Sequence, residues 1–190
     1  AQDGLASFEP AFADELAVIM EWALDYLQRN GCSDRDCRTW LRDEMGGSVY
    51  LRLTTAPLEQ PGKRVDDAFR QGAVDGAYWL RKPGSNCDIV IAYQGAVAQE
   101  AIAAAGQLAD TRRDVGVLAV TSADRLNAGW TAAQRARARG NTAACSHIEN
   151  LLGDLPSTCS IVTVIDGHPA ALGWLGSVAG HCVVSLGVEH

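Results

Sequence analysis

The sequence predicts an α/β domain, a three-layer sandwich around a mostly parallel sheet of four or five strands. Two observations carry this. Near-continuous apolar runs at 88–93, 115–120, 160–165 and 182–188 read as strands buried on both faces. Helical patterns at 96–109, 123–139, 145–152 and 169–178 alternate with them, so right-handed crossovers place helices on both sides of the sheet.

Residues 10–29 come first. Phe12, Leu16, Ile19, Met20, Ala23, Leu24 and Leu27 recur at helical spacing, with Asp14 and Glu15 near the start and Asn30-Gly31 as the stop. Residues 32–47 are polar and bounded by glycine, a connection with room for a short helical turn at 38–43. Residues 48–55 alternate and are β-rich, so they read as a strand. Pro57, Pro61 and Gly62 give 56–66 the composition of an extended linker. A short helix is expected at 66–72, then a strand at 77–81 as an antiparallel edge. In the regular part, Gly129 is a possible break in the helix at 123–139, and Pro169 sits well at a first helical turn.

This order suggests three parts: the end of one domain at 1–55, a linker at 56–66, and a second domain at 67–190. The first helix and strand are then expected to belong to a neighbouring domain. The second domain reads as truncated, because Val188-Glu189-His190 follow a predicted strand directly and α/β domains place functional loops at strand ends. The absence of an initiator Met fits a trimmed or excerpted chain.

Composition narrows the function classes. With 190 residues and 47% hydrophobic residues the chain can build one substantial core. A net charge of −7 argues against nucleic acid and anionic membrane as partners, because both need a basic face. Arg135, Arg137 and Arg139 are too few to reverse it. No run approaches the length of a membrane span, and Ala1-Gln2-Asp3-Gly4 is not a signal peptide, so a cytoplasmic location is expected.

Of the six cysteines, Cys87, Cys159 and Cys182 stand at or beside predicted buried strands and read as small hydrophobes. Cys32 and Cys37 lie in a polar loop without two further ligands nearby, so no metal site is expected. Cys145 starts a short helix.

No complete catalytic motif is present. No stretch matches a P-loop, a dinucleotide fingerprint or a Gly-x-Ser-x-Gly elbow. Gly95 before a helix is a tight turn more readily than an anion site. Ser122 and Asp124 read as helix N-caps rather than nucleophile and partner. Asp166-Gly167-His168-Pro169 follows the third apolar strand, where an acid and an imidazole could handle a proton. A capped helix with an exposed His is the plainer reading of the same residues. Glu189 and His190, after the fourth strand, would join Asp166 and His168 if the two strands are neighbours. These four are the candidate loop residues. His147 and His181 read as surface residues. The five tryptophans read as core or interface anchors.

The order of these pieces resembles a known family. Pro10-Ala11-Phe12-Ala13-Asp14-Glu15-Leu16-Ala17-Val18-Ile19-Met20 looks like the last helix of the pyrimidine-binding domain in homodimeric pyruvate dehydrogenase E1 components. Val49-Tyr50-Leu51-Arg52-Leu53-Thr54-Thr55 and Pro61 resemble the strand and linker that follow it. Phe69-Arg70-Gln71-Gly72-Ala73 before Tyr78-Trp79-Leu80 resembles the start of that family's C-terminal domain. The segment from Asp114 through Val120-Thr121-Ser122 to Leu126 is similar to its Asp-Val-x-Ser-Val-Thr-Ser segment.

The resemblance implies the tail of a pyrimidine-binding domain followed by a transketolase-like C-terminal domain. The parent enzyme would use thiamine diphosphate and Mg²⁺ to decarboxylate a 2-oxo acid such as pyruvate. It would pass the acyl group to a lipoyl-bearing acyltransferase, and it would be a homodimer. This piece would serve dimer assembly and carrier docking. It holds neither the Gly-Asp-Gly…Asn diphosphate motif nor the activating glutamate, so by itself it is expected to bind no cofactor and to be inactive. Asp166-Gly167-His168-Pro169 departs from the family. Other expectations remain open: the C-terminal domain of a transketolase or another thiamine-diphosphate enzyme, or a non-enzymatic flavodoxin-like module.

Overall fold

The computed structural model describes residues 4–31, 43–62, 65–111 and 114–188. The possible turn at 38–43 therefore falls almost wholly outside the described residues, as do Cys32, Cys37 and Trp40.

The amino-terminal unit is a strand–helix–strand: β1 (Leu5–Phe8), α1 (Ala13–Tyr26) and β2 (Ser48–Leu51), with the strands parallel and Phe8 opposite Leu51. β1 escapes the sequence pattern because four residues hold too few alternations to register. β2 ends at Leu51, short of the expected Thr55. Ala6 and Phe8 bury one face of this ribbon against Ile19 and Tyr26 of α1.

The remaining elements are α2 (Asp67–Asp75), β3 (Ala77–Arg81), β4 (Ile89–Gln94), α3 (Ala98–Ala109), β5 (Val115–Val120), α4 (Ala123–Ala138), α5 (His147–Leu152), β6 (Ser160–Ile165), α6 (Ala170–Gly173), α7 (Gly176–Ala179) and β7 (Cys182–Leu186). The five strands order as β3-β5-β4-β6-β7, with β3 antiparallel at the edge and the others parallel. The expected three-layer α/β sandwich with a mostly parallel sheet is what forms.

Each face has its own core. Val90, Ala92, Leu118 and Ile161 pack beneath Leu126, Ile148, Leu152, Leu172 and Leu175 from α4 to α7. On the other face Ile91, Tyr93, Val117 and Ala119 pack beneath Ala98, Ala101 and Ala105 of α3 and Phe69 and Ala73 of α2. Alanine at the α3 contact lets helix and sheet approach closely, which a buried parallel sheet needs on both sides.

Local chemistry sets the boundaries. Ser122 caps α4, accepting from Arg125 N at 3.1 Å. α4 then runs through Gly129 without a break, because its neighbours Leu126, Ala128 and Ala133 are buried and hold the helix to the sheet. α2 likewise continues past Gly72 to Asp75. A side chain at Gly72 would meet Ala77 O at 2.9 Å, so the glycine admits β3 rather than ending the helix. The helix expected at 169–178 divides into two short pieces, α6 and α7. Trp174 between them stacks on Trp130 of α4, ring centroids 5.3 Å apart.

The two units share packing across the Pro/Gly segment. Phe12 and Val18 of the first unit lie in the same cluster as Phe69, Tyr78 and Tyr93. The Tyr78 hydroxyl donates to the buried Glu15 carboxyl, which also accepts from Ala11 N and Phe12 N at 2.6 and 3.0 Å.

Candidate functional site

The strand order reverses direction at β4. The chain leaves β4 for β5 on one side and later returns to β6 on the other. The crevice between the carboxyl ends of β4 and β6 is therefore a topological switch point, where open α/β sheets place ligands. Gly95 follows β4 and Asp166 follows β6, so both line this crevice.

Here the crevice is filled by the chain itself. Glu9 N donates to Thr121 O at 2.7 Å, which lays the segment after β1 across the carboxyl end of β5. Arg52, just after β2, reaches Asp166 through Nη2–Oδ2 at 2.9 Å and Nη1–O at 2.6 Å. Its Nη1 also lies 3.1 Å from Glu9 Oε2. The same carboxyl packs against Gly95, where a side chain would meet Glu9 Oε2 at 3.2 Å. Gly95 has φ +67°, so glycine relieves both the backbone strain and the crowding. The space left among Glu9, Arg52, Gly95 and Asp166 is about 70 Å³.

Burial pushes the Glu9 carboxyl above its usual range, against the opposing pull of the Arg52 charge, and Asp166 adds to the rise. Arg52 is raised chiefly by the Glu9 charge. Its guanidinium already serves two carboxylates and a carbonyl, so the cluster acts as an ion-pair clasp. Asp166 is committed to Arg52. His168 is exposed, and its Nδ1 accepts from Ala170 N at 3.2 Å. The structure thus brings Asp166 to Arg52 and Glu9, and turns His168 to its own helix start.

β6 and β7 are neighbours, and Val188 N donates to Gly167 O at 2.8 Å, so the loop after β7 does meet the Asp166–His168 loop. Glu189 and His190 lie outside the described residues. Glu9 and Arg52 went unnoticed in the sequence. Arg52 interrupts an apolar run, which was the available signal; Glu9 offered none.

Two histidines differ from the surface role expected of them. His181 is buried, with Nδ1 3.1 Å from Cys159 O, because the turn into β7 tucks it beneath the sheet edge. His147 is half-buried, with Nε2 2.7 Å from Ala77 O on the edge strand. Cys182, expected beside a buried strand, is exposed because β7 is itself an edge strand with one uncovered face. Asp124 accepts from Ser7 Oγ at 2.7 Å and so ties α4 to β1, while the cap belongs to Ser122.

The switch point is a poor fit for thiamine diphosphate and its metal. Its space of about 70 Å³ is small for a diphosphate, and its charged lining is two carboxylates, Glu9 and Asp166, whose cation, Arg52, is already engaged with both. Among the described residues no group of three His, Cys, Asp or Glu side chains is placed to hold a metal ion. No helix among them is long and apolar enough to cross a membrane.

The fold is a three-layer α/β sandwich with a mostly parallel sheet, and its switch point is filled by the chain itself. A transketolase variant from Pichia stipitis superposes on the whole of this chain with TM-score 0.59 at 18% identity, over 21% of its own length. The same yeast enzyme in complex with sedoheptulose 7-phosphate gives TM-score 0.59 at 18% identity, again over all of this chain and 21% of its own. Transketolase from Campylobacter jejuni matches 98% of this chain and 22% of its own, with TM-score 0.55 at 16% identity. The chain therefore spans about a fifth of the transketolases it resembles, and at these identities the likeness establishes the fold. No protein-family model and no curated protein sequence matches the chain.

Proposed function

We propose that this chain is the C-terminal portion of a thiamine-diphosphate-dependent enzyme, serving assembly of the parent rather than its chemistry. One observation carries the reading. The transketolase likeness covers the entire chain, amino-terminal unit and sheet domain together. The site where an α/β domain takes a ligand is closed by Glu9, Arg52 and Asp166. No catalytic step is assigned to these residues.

Two substrate classes are in play. The segment from Asp114 to Leu126 favours a 2-oxo acid dehydrogenase E1 component acting on pyruvate, with a homodimer and a lipoyl-bearing acyltransferase as partners. The solved structures it resembles favour a ketose-phosphate enzyme. The test joins this segment to the cofactor-binding region that precedes it in its parent. Turnover of pyruvate with an artificial electron acceptor, thiamine diphosphate and Mg²⁺ supports the first class. Turnover of ketose phosphates under the same conditions supports the second. Activity with neither, in a folded and cofactor-loaded protein, rejects both.

A further inference from the structure

At the opposite end of the sheet from the switch point, two thiols meet in the core. Cys87 Sγ and Cys159 Sγ lie 3.6 Å apart, though 72 residues separate them in sequence. Both residues are 1% exposed. Cys87 precedes β4 and Cys159 precedes β6, and these strands are paired in a fixed parallel register, Ile89 opposite Ser160. Ser160 N donates to Asp88 O at 3.0 Å, so the backbone beside both thiols is pinned. The sulfurs stand at contact distance, and side-chain rotation through about 1.5 Å would bring them to the length of an S–S bond.

We propose that Cys87 and Cys159 form a dithiol site that a peroxide converts to a disulfide, stapling β4 to β6 at their amino-terminal ends. The inference is independent of the proposed enzyme class. One thiol, as its thiolate, attacks hydrogen peroxide to give a sulfenic acid and hydroxide. The second thiol then displaces the hydroxyl as water. In sum, two thiols and one peroxide give one disulfide and two waters, with the sulfurs oxidised by two electrons and the peroxide reduced by two. Burial, and next the neighbouring Cys87, push the Cys159 thiol up to about 12. Little thiolate is then present near neutral pH, so oxidation of the pair is slow and needs an oxidant small enough to enter the core. Cys145 and Cys182 are exposed and would react first with larger reagents. The switch point lies at the far end of the same strands, so oxidation should leave the Arg52 clasp in place.

The experiment uses the whole chain. Accessible thiols are first blocked with N-ethylmaleimide in the native protein, the reagent is removed, and hydrogen peroxide is added. Cleavage before aspartates gives peptides 75–87 and 154–165, each with one cysteine. The expected result is these two peptides linked, two hydrogens lighter than their sum and separated by dithiothreitol. Closing so long a loop should raise Tm by about 5–10 °C, reversibly. Cys87→Ala and Cys159→Ala should each abolish both the link and the rise. Recovery of both peptides as free or over-oxidised thiols from folded protein would overturn the site. A link without any rise in Tm would overturn the staple.

Discussion

The Arg125 guanidinium holds the Asp43 carboxylate through two parallel hydrogen bonds of 2.9 Å, joining α4 of the sheet domain to the segment that leads into β2. Arg125 also donates from Nε to Val74 O at 2.7 Å and lies over the Trp22 ring, 4.7 Å from its centroid. This one side chain of α4 thus touches α1, α2 and the segment before β2. With 7% of its side chain exposed, it is a buried charge at the interface.

Arg125→Ala should lower stability by about 3 kcal/mol, the lower end for a broken buried pair, because Asp43 keeps contact with water. Arg125→Lys should recover only part of this, since an ammonium cannot make the planar fork or the stack. Urea unfolding followed by tryptophan fluorescence measures both. Equal stability of Arg125→Lys and the wild type would reject the geometric account.

The Tyr78–Glu15 contact crosses the same interface on the other face of the sheet. Tyr78→Phe removes one donor to a buried carboxyl and should cost about 1–3 kcal/mol. Glu15→Ala should cost more, because it also orphans Ala11 N and Phe12 N at the start of α1. Burial raises the ionisation of Tyr78 above the usual tyrosine range, with the Glu15 charge adding to it. Alkaline difference spectroscopy should therefore show this hydroxyl titrating only on unfolding.

The clasp at the switch point sets a pH dependence. Glu9 has its folded-state pKa raised above the ordinary 4.5, so the folded protein holds that proton more tightly than the unfolded chain. Its contribution to stability is fully present below 4.5 and is lost as pH rises through the raised value. Glu149 runs the other way. Burial pushes it up, but hydrogen bonds from Arg137 and Ser146 outweigh this and hold it below 4.5. Its contribution is present above 4.5 and is lost as pH falls through the lowered value. Glu9→Gln should therefore gain relative to the wild type as pH rises from 4.5. Glu149→Gln should gain relative to the wild type as pH falls below 4.5. Urea midpoints between pH 3 and pH 7 check both, and slopes of the opposite sign would refute the assignment.

Gly76 closes α2 with φ +109°, and a side chain there would sit 2.6 Å from Ser122 O. Gly76 O in turn accepts from Thr121 N and Ser122 N at 2.9 and 3.1 Å, so the turn cannot move aside freely. Gly76→Ala should cost about 2–4 kcal/mol through left-handed strain and the clash together. A Tm within 2 °C of wild type would show that the turn relaxes.

The alternation of apolar runs with helical stretches determined the layered α/β class, the parallel strands at 88–93, 115–120 and 160–165, and the antiparallel edge at Ala77–Arg81. These are local or short-range properties, since period and burial are written in consecutive residues. Ser122 as a cap was legible for the same reason. What only the tertiary structure decided is which distant residues meet. Glu9, Arg52 and Asp166 come from three separate stretches and converge because the amino-terminal unit lies over the carboxyl ends of β4 and β6. Cys87 and Cys159 meet because β6 crosses back to pair with β4. His181 is buried and Cys182 exposed because of where β7 falls in the sheet order. Sheet order is a long-range outcome of packing on two faces, and no single stretch of this sequence contains it.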